Sequence, residues 1–152
     1  MDLTQCAVAQ QQLEGFAVCV PLPVAWGEMD SFGHVNNIIY FRYFETARIA
    51  YFDRVGFQDS YREMGVGPIL AATECRFIAP LTYPDEVLVG ARAHSLSEDR
   101  FTMDYAIFST SQKREAATGS GRIVSYDYKK LAKTPLPAAV RIAIERLEGL
   151  SR

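Results

Sequence analysis

Cysteine is scarce in this 152-residue chain: three residues, Cys6, Cys19 and Cys75, odd in number and far apart. They form no CxxC pair, so neither a disulfide framework nor a sequence-local zinc site is expected, and a reducing cytoplasm fits. An excess of positive charge is also missing. Sixteen Lys and Arg stand against eighteen Asp and Glu, for a net charge of −2. That excludes the strongly basic surface of a general nucleic-acid binder, while leaving room for a local basic patch that meets an anionic ligand. No stretch is long and apolar enough to span a bilayer, so membrane insertion is not expected. The opening MDLTQCAVAQQQLEG has neither a basic n-region nor an extended apolar core, so a secretory leader is not expected either. Internal repeats and low-complexity tracts are absent.

What is present is a core. Hydrophobic residues make up 49% of the chain, with nine Phe and eight Tyr, enough for one compact domain. Residues 1–15 are Gln-rich and expected to be flexible, with a single domain over 16–150. Phe16–Trp26 is β-prone but carries Pro21 and Pro23, which cannot donate to a ladder, so it reads as an edge strand. A loop follows to Asn36. From Asn37 to Val55 the pattern is helical, capped by Asn36 and stopped by Gly56. This helix is apolar around most of its circumference and should be buried inside something that wraps it. A loop holding Gly65, Gly67 and Pro68 leads to strands at Ile69–Ile78, Glu86–Ser95, Phe101–Phe108 and Ala116–Tyr128. Ser97-Glu98-Asp99-Arg100 is a hairpin turn between the second and third of these. A short helix, Ala138–Leu147, closes the order. Hairpin-linked strands with a single long helix predict an antiparallel sheet carrying that helix on one face, an α+β architecture.

The most informative segment is Asp30-Ser31-Phe32-Gly33-His34-Val35-Asn36-Asn37, running straight into the long helix. It sets a carboxylate and a glycine turn beside the start of a helix, where backbone N–H groups lack acceptors. A carboxylate opposite such donors suits attack on a carbonyl and stabilisation of the resulting oxyanion.

With its continuation Tyr40-x-x-Tyr43-x-Glu45-x-Ala47-Arg48, this segment resembles the hotdog-fold acyl-CoA thioesterases of the 4-hydroxybenzoyl-CoA thioesterase type, in wording closest to the fatty-acyl branch. The resemblance covers nearly the whole chain, from about Phe16 to Leu147. It implies a curved antiparallel sheet wrapped around the long helix. It implies a homodimer or homotetramer whose sheets join edge to edge, with active sites at the subunit interface. It implies that Asp30 is the catalytic carboxylate and that the Asn37 backbone N–H polarises the thioester carbonyl. The substrate would be an acyl-CoA or acyl carrier protein thioester. Thioester hydrolysis of this kind needs no metal and no organic cofactor, coenzyme A entering only as part of substrate or product.

The residues leave several roles open. Asp30 suits a nucleophile, a general base, or the acceptor of a simple Asx turn. His34 suits an acid or base, or a ring that fixes the loop. Gly33 permits the turn, Asn36 caps the helix, and Tyr40 on the helix helps to bound an acyl pocket. Glu45 is a second candidate carboxylate or, with Arg48, a partnered charge at an interface. Thr73 and Glu74 are candidates to line the thioester site. Arg76, Arg122, Lys129, Lys130 and Lys133 are candidate partners for carrier phosphates. Two other functions share the fold: a dehydratase or hydratase acting on acyl thioesters, and a non-catalytic thioester-binding module.

Overall fold

The computed structural model describes Gln11 and residues 13–150. Cys6 and most of the Gln-rich stretch lie outside the described residues. Six strands form one antiparallel sheet: β1 (Val18–Pro23), β2 (Val66–Phe77), β3 (Glu86–His94), β4 (Arg100–Ser109), β5 (Arg114–Asp127) and β6 (Ala132–Lys133). Their order across the sheet is β1-β3-β4-β5-β2, with β6 added to β5. The proline-bearing β1 is indeed at an edge, where a missing N–H costs no ladder bond. The first two strands are shorter or shifted relative to expectation. Trp26 falls in a 3-10 turn (Trp26–Glu28) rather than in β1, and β2 starts three residues before Ile69, running through Pro68.

The long helix α1 spans Asn37–Val55 and ends at Gly56, which takes a left-handed φ of 84° and donates its N–H to the Phe52 carbonyl. The segment after it, loop by its sequence pattern, is in fact a second helix, α2 (Phe57–Met64), followed by the left-handed Gly65. The closing helix α3 occupies Ala138–Leu147, as expected.

One face of the sheet carries α1. Val87, Val89, Ala91 and Ala93 on β3 and Phe101, Met103, Tyr105 and Ile107 on β4 are all buried there. They meet Tyr40, Tyr43, Phe44, Ala47, Tyr51 and Phe52 of α1. Phe44 stacks on Tyr105 with ring centroids 4.9 Å apart. It presses on β5 at Gly119, where a Cβ would stand 2.4 Å from the Phe44 ring and 2.6 Å from the Glu74 carbonyl oxygen. Only glycine allows the helix so close. The buried Arg48 donates to the Tyr105 hydroxyl at 3.3 Å and lies 4.0 Å from Glu45. The sheet curves around α1 as expected, and one flank of the helix stays open. Ile38, Arg42, Glu45 and Ile49 form an exposed stripe, because the sheet of one chain curves over only one side of the helix. Among the described residues no helix is long and apolar enough to cross a membrane.

Four tyrosines anchor this core through hydroxyls held neutral. Burial chiefly raises the pKa of Tyr40, Tyr43, Tyr51 and Tyr105; contact with Glu28 adds to the shift at Tyr43 and contact with Glu148 at Tyr51. An unfolded tyrosine ionises near pH ~10. Above that pH the unfolded chain binds fewer protons than the folded one, so stability present at neutral pH is lost as pH rises. Urea midpoints should therefore hold between pH ~7 and ~9 and fall steeply beyond pH ~10, with phenolate absorbance appearing together with unfolding.

Candidate active site

The loop before α1 is built by its own side chains. Asp30 accepts the Phe32 N–H at 2.9 Å, an Asx turn, and its carbonyl accepts the Gly33 N–H at 3.1 Å. Gly33 takes φ 79°, a conformation that favours glycine. The Asp30 N–H donates to the His34 carbonyl at 2.8 Å, and Met29 bridges Val35, closing a tight hairpin. The hairpin is tied to the body through Val35 N–H to Leu81 carbonyl (2.8 Å) and Asn36 N–H to Glu28 carbonyl (2.9 Å). The Glu28 side chain in turn accepts the Tyr43 hydroxyl at 3.0 Å and the Ala25 N–H at 2.6 Å.

At the helix start the expected cap is in place. The Asn36 side-chain oxygen accepts the Ile38 N–H at 3.1 Å, and its carbonyl accepts the Ile39 N–H at 2.9 Å. The Asn37 N–H beside them has no acceptor among the described residues, and it carries the positive end of the helix dipole.

Asp30 and Asn37 line the same cleft, of about 480 Å³. His34, Val35, Asn36 and Tyr40 complete one wall, and Phe77, Ile78, Ala79 and Pro80 form the other. The Tyr40 hydroxyl donates to the Ala79 carbonyl (3.3 Å) and accepts the Leu81 N–H (3.2 Å), clamping the two walls together. Phe77 meets the Tyr40 ring edge-on at 5.0 Å. This second wall escapes a reading of the sequence. Its only signal is the apolar run continuing past the end of a strand from Phe77 to Leu81. Gly33 shapes the loop from behind and does not line the cleft.

The remaining candidates are placed elsewhere within one chain. Glu45 sits on the exposed stripe of α1, two turns along from Asn37, with its side chain 58% exposed. Thr73 donates to the Ser120 carbonyl at 2.9 Å, and Glu74 accepts from the Ser120 hydroxyl at 3.2 Å. Arg76 lines a groove with Glu74, Arg92, Asp104 and Glu115 on the sheet face away from α1, and Arg122 lines a neighbouring one with Thr102. Lys129 and Lys130 sit on the β5–β6 turn, and Lys133 on β6, at the end of the sheet opposite the cleft. Cys75 packs against the core around α1. Burial pushes its thiol up to about 11, which makes it a poor nucleophile. The cleft thus offers a carboxylate and an open main-chain donor, the pairing suited to acyl transfer.

Comparison with known proteins gives the family. Residues 24–144 match the model of the thioesterase-like superfamily, and the chain belongs to that family. Its structure superposes on a thioesterase from Thermus thermophilus, solved with coenzyme A and zinc, with a TM-score of 0.80 and 32% identity. The match covers 91% of this chain and 99% of that one. A thioesterase-superfamily structure from Jannaschia sp. CCS1 gives a TM-score of 0.84 at 22% identity, over 96% of this chain and 91% of that one, a likeness of fold alone. The architecture is the hotdog fold. The chloroplastic acyl-acyl carrier protein thioesterase ATL3 of Arabidopsis thaliana is 28% identical over 123 residues, covering 80% of this chain and 64% of that protein.

Proposed function

We propose that this protein hydrolyses an acyl-CoA, or an acyl thioester on a carrier protein, to the free acid and the thiol. The observation that carries the proposal is the cleft shared by the Asp30 carboxylate and the Asn37 N–H, which has no acceptor among the described residues. In this reading the thioester carbonyl oxygen receives the Asn37 N–H. Either the Asp30 carboxylate attacks the carbonyl carbon, the thiolate leaves, and water then cleaves the acyl-aspartyl anhydride to free acid and carboxylate, or Asp30 takes a proton from a water that attacks the carbonyl directly, and the thiolate leaves with that proton. A preorganised main-chain donor of this kind contributes roughly 3–4 kcal/mol to the transition state. The chemistry calls for no cofactor of its own, and the sparing use of cysteine fits a cytoplasmic setting.

The working unit in this proposal is a dimer. Among the described residues β2 pairs on one side only. It is twelve residues long, and Ile69, Leu70 and Phe77 on it and Ile78 beside it are exposed. A long edge with unpaired backbone groups and exposed apolar side chains is a template for another strand, and a second copy supplies one by isologous pairing. The same copy would cover the exposed stripe of α1. The test is release of free thiol from short, medium, long and aromatic acyl-CoA substrates, together with its loss in Asp30→Asn. Absence of release from every substrate contradicts the proposal, as does hydration of an enoyl thioester that leaves the thioester intact.

A further inference from the structure

The bonds within the Asp30 hairpin fix its shape and leave its tilt against α1 open. Asp30 stands on the leg that enters the hairpin, and Asn37 follows the leg that leaves it. The two legs meet at a neck, where the Glu28 carbonyl accepts the Asn36 N–H at 2.9 Å. The Asn36 side chain then caps α1 at Ile38 (3.1 Å), which ties the leaving leg to the helix. For the entering leg the tie is a side chain. Tyr43, buried on α1, donates its hydroxyl to Glu28 Oε1 at 3.0 Å, and the same oxygen accepts the Ala25 N–H at 2.6 Å. Among the described residues, this is the side-chain bond that runs from the entering leg to α1.

Helix geometry suits this tie. Tyr43 lies ~9 Å along the axis from Asn37, and helical side chains lean back toward the N-terminus, which brings its phenol to the neck. Burial, with the Glu28 carboxylate beside it, holds that phenol protonated far above the ordinary tyrosine range, so it is a donor throughout neutral pH. The same device recurs on α1 away from the cleft. Tyr51 donates to Glu148 Oε1 at 2.7 Å, and that oxygen also accepts the Ala93 N–H at 2.8 Å. This second tie joins α1 to β3 and to the end of α3, and none of its residues lines the cleft. The two ties share one chemistry and differ in what they hold.

We infer that Glu28 and Tyr43 are positioning residues: their bond fixes the Asp30 carboxylate in register with the Asn37 N–H, so that both reach one carbonyl. The inference rests on the thioesterase reading above, and gives a part in it to a carboxylate that neither attacks nor moves a proton. Loosening the entering leg lets the Asp30 side chain drift from the carbon it serves, and a shift of ~1 Å costs up to about a hundredfold in rate. Binding is spared, because Tyr40 holds the apolar wall of the cleft through Ala79 and Leu81 without help from Glu28.

The test measures thiol release from acyl-CoA together with melting temperature. Tyr43→Phe fills the same space without the hydroxyl, so kcat should fall about tenfold with KM within about twofold of wild type. Tyr51→Phe is the matched control: it should lower the melting temperature by a similar amount and leave kcat at the wild-type value. Glu28→Ala should lose at least as much kcat as Tyr43→Phe, and the double variant should fall no further than Glu28→Ala, the coupling expected of one shared bond. Glu28→Gln should keep kcat within about twofold of wild type, because an amide oxygen accepts both bonds. If Glu28→Ala does not fold, Tyr43→Phe, Tyr51→Phe and Glu28→Gln still decide. Wild-type kcat in Tyr43→Phe overturns the inference, as does an equal kcat loss in Tyr51→Phe. A loss of about tenfold or more in folded Glu28→Gln also overturns it, since the carboxylate would then be carrying a proton itself. A wild-type protein that releases no thiol would instead overturn the thioesterase reading itself.

Discussion

In Asp30→Asn, kcat for acyl-thioester hydrolysis should fall about a thousandfold, ~4 kcal/mol of transition-state stabilisation, while KM should stay close to wild type. The substitution isolates chemistry from architecture. The Asp30 carboxylate does two things: it accepts the Phe32 N–H that turns the loop, and it faces the cleft beside Asn37. An asparagine side-chain oxygen still accepts that N–H, so the hairpin, the Met29–Val35 bridge and the Asn36 cap all persist. What asparagine cannot do is attack a carbonyl or take a proton from water near neutral pH. The readout is steady-state thiol release, with the melting temperature as control. Asp30→Ala makes the contrast, because it also removes the Asx turn and should lower stability as well as kcat.

The second large effect is structural. Gly119→Ala should destabilise the protein by about 1–3 kcal/mol, the range for overpacking a tight contact, and lower the melting temperature by roughly 3–10 °C. The added methyl group meets Phe44 at 2.4 Å and the Glu74 carbonyl oxygen at 2.6 Å. Phe44 is already pinned against the Tyr105 ring, so the helix must lift from the sheet. The helix that lifts is the one whose first turn carries Asn37. Combining Gly119→Ala with Phe44→Leu should recover part of the loss, a coupling expected only where the two residues share one space. Thermal melts of the two single variants and the double variant measure it.

The parts of the molecule that follow from local chemistry are legible in the sequence. The cap at Asn36, the turn at Gly33, the stop at Gly56 and the alternation of β3 and β4 each depend on a few neighbouring residues. The Asp30-to-Asn37 segment can be read for the same reason, because its functional groups are arranged by bonds within the segment. Features that depend on distant pairing are not legible. Strand β2 joins β5, some fifty residues on, rather than the hairpin neighbour β3, and that crossing delivers the Phe77–Pro80 wall to the cleft. A bulge between Leu70 and Ala72 shifts the register of β2. Counting from Ile69 therefore assigns the wrong face to residues beyond it. Arg76 is a candidate for the thioester carrier on type alone, and its face cannot be counted. The helix α2 is hidden by the glycines at both ends, Gly56 and Gly65, which read as loop. Glu45 looks buried because the helix around it is apolar, and only the one-sided cover of the sheet places it in the open.

In the proposed reaction the Asn37 N–H receives the thioester carbonyl. The most direct measurement is the amide proton resonance of Asn37 in Asp30→Asn protein titrated with intact acyl-CoA. The expected result is a downfield shift of the Asn37 amide larger than that of its neighbours Ile38 and Ile39, which already have acceptors in Asn36. A ligand that binds and moves other resonances while leaving Asn37 unshifted would contradict it.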